Sequence, residues 1–208
     1  MSLPFSHAQF FEVFQRYNEA VWPSQVGLTL LALAAVALLF VPRRGQIVAT
    51  ILAVLWAWMA IAYHLLFFRT INPAATLFGA VFLAGAAAFA GCRLQFAWPG
   101  AARGAFGIAL VVYALVGYPL LGAVFGQQYP AAPTFGLPCP TTLFTAGVLL
   151  FLRRPYPRRV LIVPLAWTLV GSQGALLLGV PQDFALIVAA LALAWLALPV
   201  MRKKEAAA

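Results

Sequence analysis

Val148-Leu149-Leu150-Phe151-Leu152-Arg153-Arg154-Pro155-Tyr156-Pro157-Arg158-Arg159-Val160-Leu161-Ile162-Val163 sets four arginines between two apolar runs that carry no charge. The pattern recurs along the chain. Arg43 and Arg44, Arg93 and Arg103, and Arg202, Lys203 and Lys204 also punctuate apolar runs, so that eleven of the thirteen Lys and Arg fall in such clusters. Only 8% of the 208 residues are charged and 64% are hydrophobic. A soluble domain carries about 25% charged residues. With a third of that, a folded chain could not cover its surface with polar groups, and the natural solvent is lipid. The net charge of +9 then reads as loop arginine under the positive-inside rule rather than as a nucleic-acid surface.

A spanning helix needs roughly 20 apolar residues. Seven runs qualify or nearly so: Pro23–Val41, Ile47–Phe68, Pro73–Ala90, Gly104–Gly122, Pro140–Leu152, Val160–Leu178 and Phe184–Met201. The connections after the first, third and fifth runs, with the C-terminus, hold the eleven clustered cations, and the remaining segments hold only Arg16 and Arg69. Positive-inside therefore predicts an N-terminus outside and a C-terminus in the cytoplasm. The runs are continuously apolar, not alternating as barrel strands are, so backbone pairing in lipid requires helices. The predicted fold class is an all-α membrane protein, a seven-transmembrane-helix bundle.

Three regions are expected. Residues 1–22 form a short outer amphipathic helix, residues 23–201 the transmembrane domain, and residues 202–208 a cytoplasmic basic tail. Ser6 and Gln9 have the spacing of a capping box. Phe10, Phe11, Phe14, Val13 and Tyr17 share one helical arc, opposite Gln9, Glu12, Gln15 and Arg16, which predicts a helix lying at the interface. Pro23 then starts a new helix. Leu39-Phe40 before Arg43-Arg44 matches Leu150-Phe151 before Arg153-Arg154, and Trp58 with His64 matches Trp167 with Gln173. Those pairs point to a 3+1+3 parallel repeat of the kind known in transporters. Ala80, Ala84 and Ala88, near Gly79 and Gly85, form a small-residue stripe expected to pack helices closely.

The fifth run is too short for the layer, and the uncharged, proline-rich stretch Gly126–Pro140 precedes it. A short, proline-interrupted segment is the best sequence pointer to a transporter site; a proline-rich plug over the outer face fits the residues as well. Thr141 and Thr142 would lie at the positive end of the helix dipole. Cys139, between Pro138 and Pro140, reads as a structural thiol or as a redox or metal-binding one. His64 is an ionisable residue one turn inside the second run and so a functional candidate, with Glu19 as its expected charged partner. Asn18, Arg69 and Asp183 fall at the same level. The candidate binding residues are thus His64, Glu19, Asn18, Cys139, Thr141 and Thr142, and no catalytic set is assigned.

Residue types remove several functions. Lys203 and Lys204 are the sole lysines, so no buried lysine could hold retinal, and two histidines, His7 and His64, are too few for a three-histidine zinc site or a bis-histidine haem. Cys92 and Cys139 make no CxxC pair. No cofactor is expected, and the metal question stays open. Expected partners are the lipid bilayer and a small solute or a second membrane protein, and no nucleic acid.

Leu3-Pro4-Phe5, Gln9-Phe10, Tyr17-Asn18-Glu19-Ala20-Val21-Trp22-Pro23 and Pro138-Cys139-Pro140-Thr141-Thr142 resemble an uncharacterised family of bacterial multi-pass membrane proteins. The resemblance implies a bacterial inner-membrane location and carries no activity onto these residues. The functional expectation is a small-solute transporter or permease-like protein with an outward-facing site. An accessory or sensing protein that docks a partner is the alternative, and a membrane-embedded metal or thiol enzyme ranks below both.

Overall fold

The computed structural model describes residues 4–198. The basic tail, the end of the last apolar run and Leu3 lie outside the described residues. Among the described residues, seven helical segments follow one another: α1 His7–Leu38, α2 Gly45–Thr70, α3 Ala75–Ala90, α4 Ala101–Val124, α5 Pro138–Leu149, α6 Arg159–Leu177 and α7 Pro181–Ala197. Among the described residues there are isolated β-bridges and no strand. Four of the helices, α1, α2, α4 and α6, are long and apolar enough to cross a membrane, whereas α3, α5 and α7 are shorter.

The capping box forms as the sequence predicts. Gln9 N–H donates to Ser6 Oγ (3.3 Å) and Ser6 N–H donates to Gln9 Oε1 (2.8 Å), satisfying two otherwise orphaned donors. The predicted break at Pro23 does not occur: α1 runs for 32 residues straight through it. At about 1.5 Å per residue it is about 48 Å long. The proline removes one backbone donor, a cost of about 3 kcal/mol in a water-exposed helix. Packing on both sides offsets it, because Tyr17 and Asn18 before Pro23, and Leu28 and Ala32 after it, are all buried. The aromatic arc of α1 turns to protein. Phe10 stacks edge-on to Phe68 (6.1 Å), and Tyr17 meets Tyr63 (5.8 Å) and Phe67 (5.5 Å), all on α2. Gln9, Glu12, Gln15 and Arg16 are exposed, as the pattern requires.

The small-residue stripe on α3 is displaced by a register step. Ala80 and Ala84 are exposed, and the buried face is Gly79, Phe82, Gly85, Ala86 and Phe89. Two aromatic rings set which side of a nearly uniform apolar helix is buried: Phe82 lies 4.8 Å and Phe89 6.0 Å from the Trp56 ring.

Helix α5 is the hub. Every residue from Pro138 to Leu152 is buried except Cys139, so its 12 residues need not match a lipid layer: its backbone is sheathed in protein. It touches α4 through two glycines, since a Cβ on Gly147 would lie 2.8 Å from the Gly107 carbonyl. Trp56 of α2 donates to Thr145 of α5 (3.1 Å).

Alternating direction gathers the odd-numbered connections at one end. There Ala97 N–H donates to the Phe151 carbonyl (2.9 Å) and Arg153 N–H to the Gln95 carbonyl (2.8 Å). Arg103 donates to the Leu152 carbonyl and Tyr156 hydroxyl, and Arg159 to Cys92 Sγ and the Gly91 carbonyl. The basic clusters from Arg43 to Arg159 therefore share one end of the bundle, and Cys92 lies there, far from Cys139.

Candidate functional site

The opposite end contains a cavity of about 180 Å³, and local sequence features build it. Just past the end of helix α6 lies Gly179, whose φ of +66° a side chain would resist. The chain reverses there, and Val180 N–H donates back to the Gly174 carbonyl (3.2 Å). Pro181 opens a tight 3-10 turn, Pro181–Phe184, which is the first turn of α7. That reversal lays Asp183 directly over Gly174. A Cβ on Gly174 would stand 2.7 Å from Asp183 Oδ2, so the glycine makes the space that the carboxylate fills.

Asp183 is only 3% exposed. Its Oδ1 accepts a hydrogen bond from the Tyr118 hydroxyl (2.5 Å), and its polar neighbours are Tyr118 and Cys139. The adjacent Gln182 is tied down separately, its side chain donating to Gln127 (2.5 Å) and its carbonyl accepting from Tyr113 (2.9 Å). Asp183 lies in the first turn of α7, where the helix dipole favours negative charge by about 0.3–1 kcal/mol. That is small beside the several kcal/mol of burying a carboxylate.

The walls are mainly apolar and rich in aromatic rings. Phe5, Phe10, Phe14, Tyr63, Phe68, Phe78, Tyr118 and Trp167 line the cavity, with Cys139, Pro138 and Pro140 from the start of α5. Among the described residues, Asp183 is the one charged residue on the lining. Two helices deform to supply rings. In α2 the stretch Met59–Phe67 is π-helical and carries Tyr63; in α4 Tyr113–Gly117 is π-helical and ends at Tyr118. Pro119 gives the second its cause, since it cannot donate to the preceding turn. Such bulges often occur at functional sites. The indole N–H of Trp167 is buried with no hydrogen-bond partner. It stands beside Cys139, and a Cβ on Gly171 would meet the indole nitrogen at 3.1 Å and the thiol sulfur at 3.3 Å.

The six residues selected from sequence have different fates. Cys139 is on the cavity wall. His64 is fully buried one layer behind it, 4.6 Å from the Phe82 ring and 5.2 Å from the Trp167 ring, with neither nitrogen hydrogen-bonded. Glu19 is not its partner: that carboxylate is exposed and accepts from Gln15 (3.0 Å). Arg69 is also exposed. Asn18 is a latch. Its amide donates to the carbonyls of Pro130 (2.6 Å) and Ala132 (2.8 Å), and its oxygen accepts from Gln25 (2.6 Å) and Thr134 (2.8 Å), pinning the proline-rich connection to α1. The Thr141 hydroxyl accepts from Gly136 N–H (3.1 Å), which consumes it in the turn that starts α5. Thr142 is buried with its hydroxyl unpartnered. The candidate residues thus do not gather at one polar site, and the cavity wall is mainly apolar with one acid among the described residues. Asp183 and Cys139 meet there, but Glu19, Asn18, Arg69, Thr141 and Thr142 are not on its wall.

Sequence reasoning placed Asp183 at the right level without selecting it. The Gly179-Val180-Pro181 reversal before a lone acid was the available signal. Tyr118 carried none, being 65 positions from its partner. Among the described residues, no three of His, Cys, Asp and Glu gather as metal ligands.

No curated protein and no solved structure matches the chain. A family model does, over residues 7–208, so the chain belongs to DUF6064, a family of unknown function.

Proposed function

We propose that this chain is a multi-pass protein of the bacterial inner membrane that binds a small solute in the Asp183 cavity and passes it across the bilayer. In this reading all seven helices lie in the membrane, the N-terminus is outside and the basic end is cytoplasmic. One observation carries it: a ligand-sized cavity with a buried acid sits at the end of the bundle opposite the arginine clusters. Ligand sites are concave, mostly apolar and furnished with few polar groups, and ionisable residues held among apolar helices mark substrate and ion paths. The short α5 and α7 both begin at the cavity, as interrupted helices do at transporter sites. The paired sequence features of the two triplets support a 3+1+3 parallel arrangement, in which rocking of α1–α3 against α5–α7 would move the opening from one face to the other.

The test uses the native thiol. In a Cys92→Ser background, right-side-out and inside-out vesicles are treated with a membrane-impermeant maleimide. A transporter exposes Cys139 to each side in turn, so labelling is expected from both, faster from outside. Labelling from outside alone sets transport aside in favour of the accessory or sensing reading, in which a partner docks on the outer face. No labelling from either side removes the outward-facing site.

A further inference from the structure

We propose that the Asp183 cavity selects an organic cation: an ammonium group on an apolar body about the size of one aromatic ring. The inference rests on the cavity being a ligand site, as proposed above, and adds its chemistry.

Charge comes first. Asp183 is buried, and among the described residues the cavity wall supplies no Lys, Arg or His to face it. The Tyr118 hydroxyl donates to it and the α7 dipole favours its anion, but neither carries a full positive charge. A buried carboxylate without a counter-ion is costly, and a cation in the cavity would supply the missing half of the pair. An anionic ligand would meet the only charge on the wall as a like charge.

The walls agree. Aromatic faces attract cations, most strongly when water is excluded and most of all at Trp. Trp167, Tyr63 and Tyr118 stand around the carboxylate end, and the phenylalanines beyond them offer apolar surface. Gly174 and Gly171 let the groups of that end pack close, since a methyl at the first would strike Asp183 and at the second would crowd Leu186, Trp167 and Cys139. Size sets the last limit. A cavity of about 150 Å³ lined by apolar side chains holds benzene, and this one has about 180 Å³, enough for a ring and a small cationic head. A hydrated metal ion would leave the aromatic surface unused.

The experiment is equilibrium binding by calorimetry on the purified full chain in detergent at pH 7, with three probes of one shape: benzylammonium, benzyl alcohol and benzoate. Benzylammonium is expected to bind at least tenfold more tightly than benzyl alcohol, and benzoate not at all. Asp183→Asn should erase the preference for the cation, and Glu19→Gln, which removes an exposed acid at the same end, should leave it intact. Should Asp183→Asn fail to fold, Tyr118→Phe replaces it, with an expected loss of threefold or more for the cation alone. Equal binding of benzylammonium and benzyl alcohol by the unaltered protein overturns the charge selectivity and leaves the cavity as a ligand site. A preference that persists in Asp183→Asn overturns the role of the acid. Binding of none of the three overturns the ligand site itself.

Discussion

Gly174→Ala measures how closely the fold is built around one carboxylate. The added Cβ would sit 2.7 Å from Asp183 Oδ2, where ordinary contact begins at 3.4 Å, so the acid must retreat by about 0.7 Å. Its other oxygen is held 2.5 Å from the Tyr118 hydroxyl. A retreat of that size takes the bond past 3 Å and off its axis. Hydrogen bonds to charged groups contribute about 1.5–3 kcal/mol, and alanine returns about 1 kcal/mol over glycine inside a helix. The net expectation is a loss of about 0.5–2 kcal/mol, with cation affinity down about tenfold. Gly27→Ala is the matched control, because nothing lies within 4 Å of its added methyl. It should gain up to about 1 kcal/mol from helix propensity alone. Unfolding of both variants in mixed detergent micelles, titrated with a denaturing detergent, reads the difference directly. If Gly174→Ala is stabilised as much as Gly27→Ala, the carboxylate is not held against the helix and the account of the site fails.

Asn18→Asp keeps the shape of the latch but turns a carboxylate oxygen toward the Pro130 and Ala132 carbonyls, now 2.6 and 2.8 Å from an amide donor. A loss of about 3–5 kcal/mol is expected, with faster hydrogen exchange across residues 128–135; unchanged exchange there would show that the latch does not hold the loop. Trp56→Phe removes the donor to Thr145 and some buried volume. It should cost about 2–3 kcal/mol, and a cost under about 0.5 kcal/mol would remove this link between α2 and α5. Arg43 adopts φ +64° without being glycine, so Arg43→Gly should stabilise by about 0.5–1 kcal/mol in the same titration, and any destabilisation would mean that the side chain makes a contact outweighing the strain.

The larger features were legible because they depend on sums over many residues. Helical class, the placing of each apolar run on a helix and the gathering of arginines at one end follow from composition and spacing. The Ser6–Gln9 box was legible for the opposite reason: both partners lie within one turn. Failures occurred where one residue's effect was set by distant packing. Pro23 looks like a helix start, and Tyr17 and Leu28, buried on either side of it, override that. The alanines of α3 repeat every fourth residue, yet the aromatic pair Phe82 and Phe89 chooses the buried face. His64 was selected for being rare, and its surroundings prove to be rings with no carboxylate.

The site itself explains why a single acid was hard to choose. Glu19 and Asp183 occupy the same end and look alike in sequence, each beside an apolar run. What separates them is backbone. Glu19 lies mid-helix, where its side chain reaches Gln15 four residues back and stays in solvent. Asp183 follows a left-handed glycine and a proline, so the chain doubles back and drives the carboxylate inward over a residue with no side chain. Burial of a charge here is thus produced by turn chemistry rather than by apolar neighbours alone. The same turn fixes the tenant's geometry. Because Gly174 closes one side of the carboxylate and Tyr118 caps one oxygen, a ligand cation would approach from the cavity side, whose wall includes Trp167 and Tyr63. Specificity at such a site would come from ring spacing and from the absence of any second charge, which is why the comparison of benzylammonium with benzyl alcohol is the decisive one.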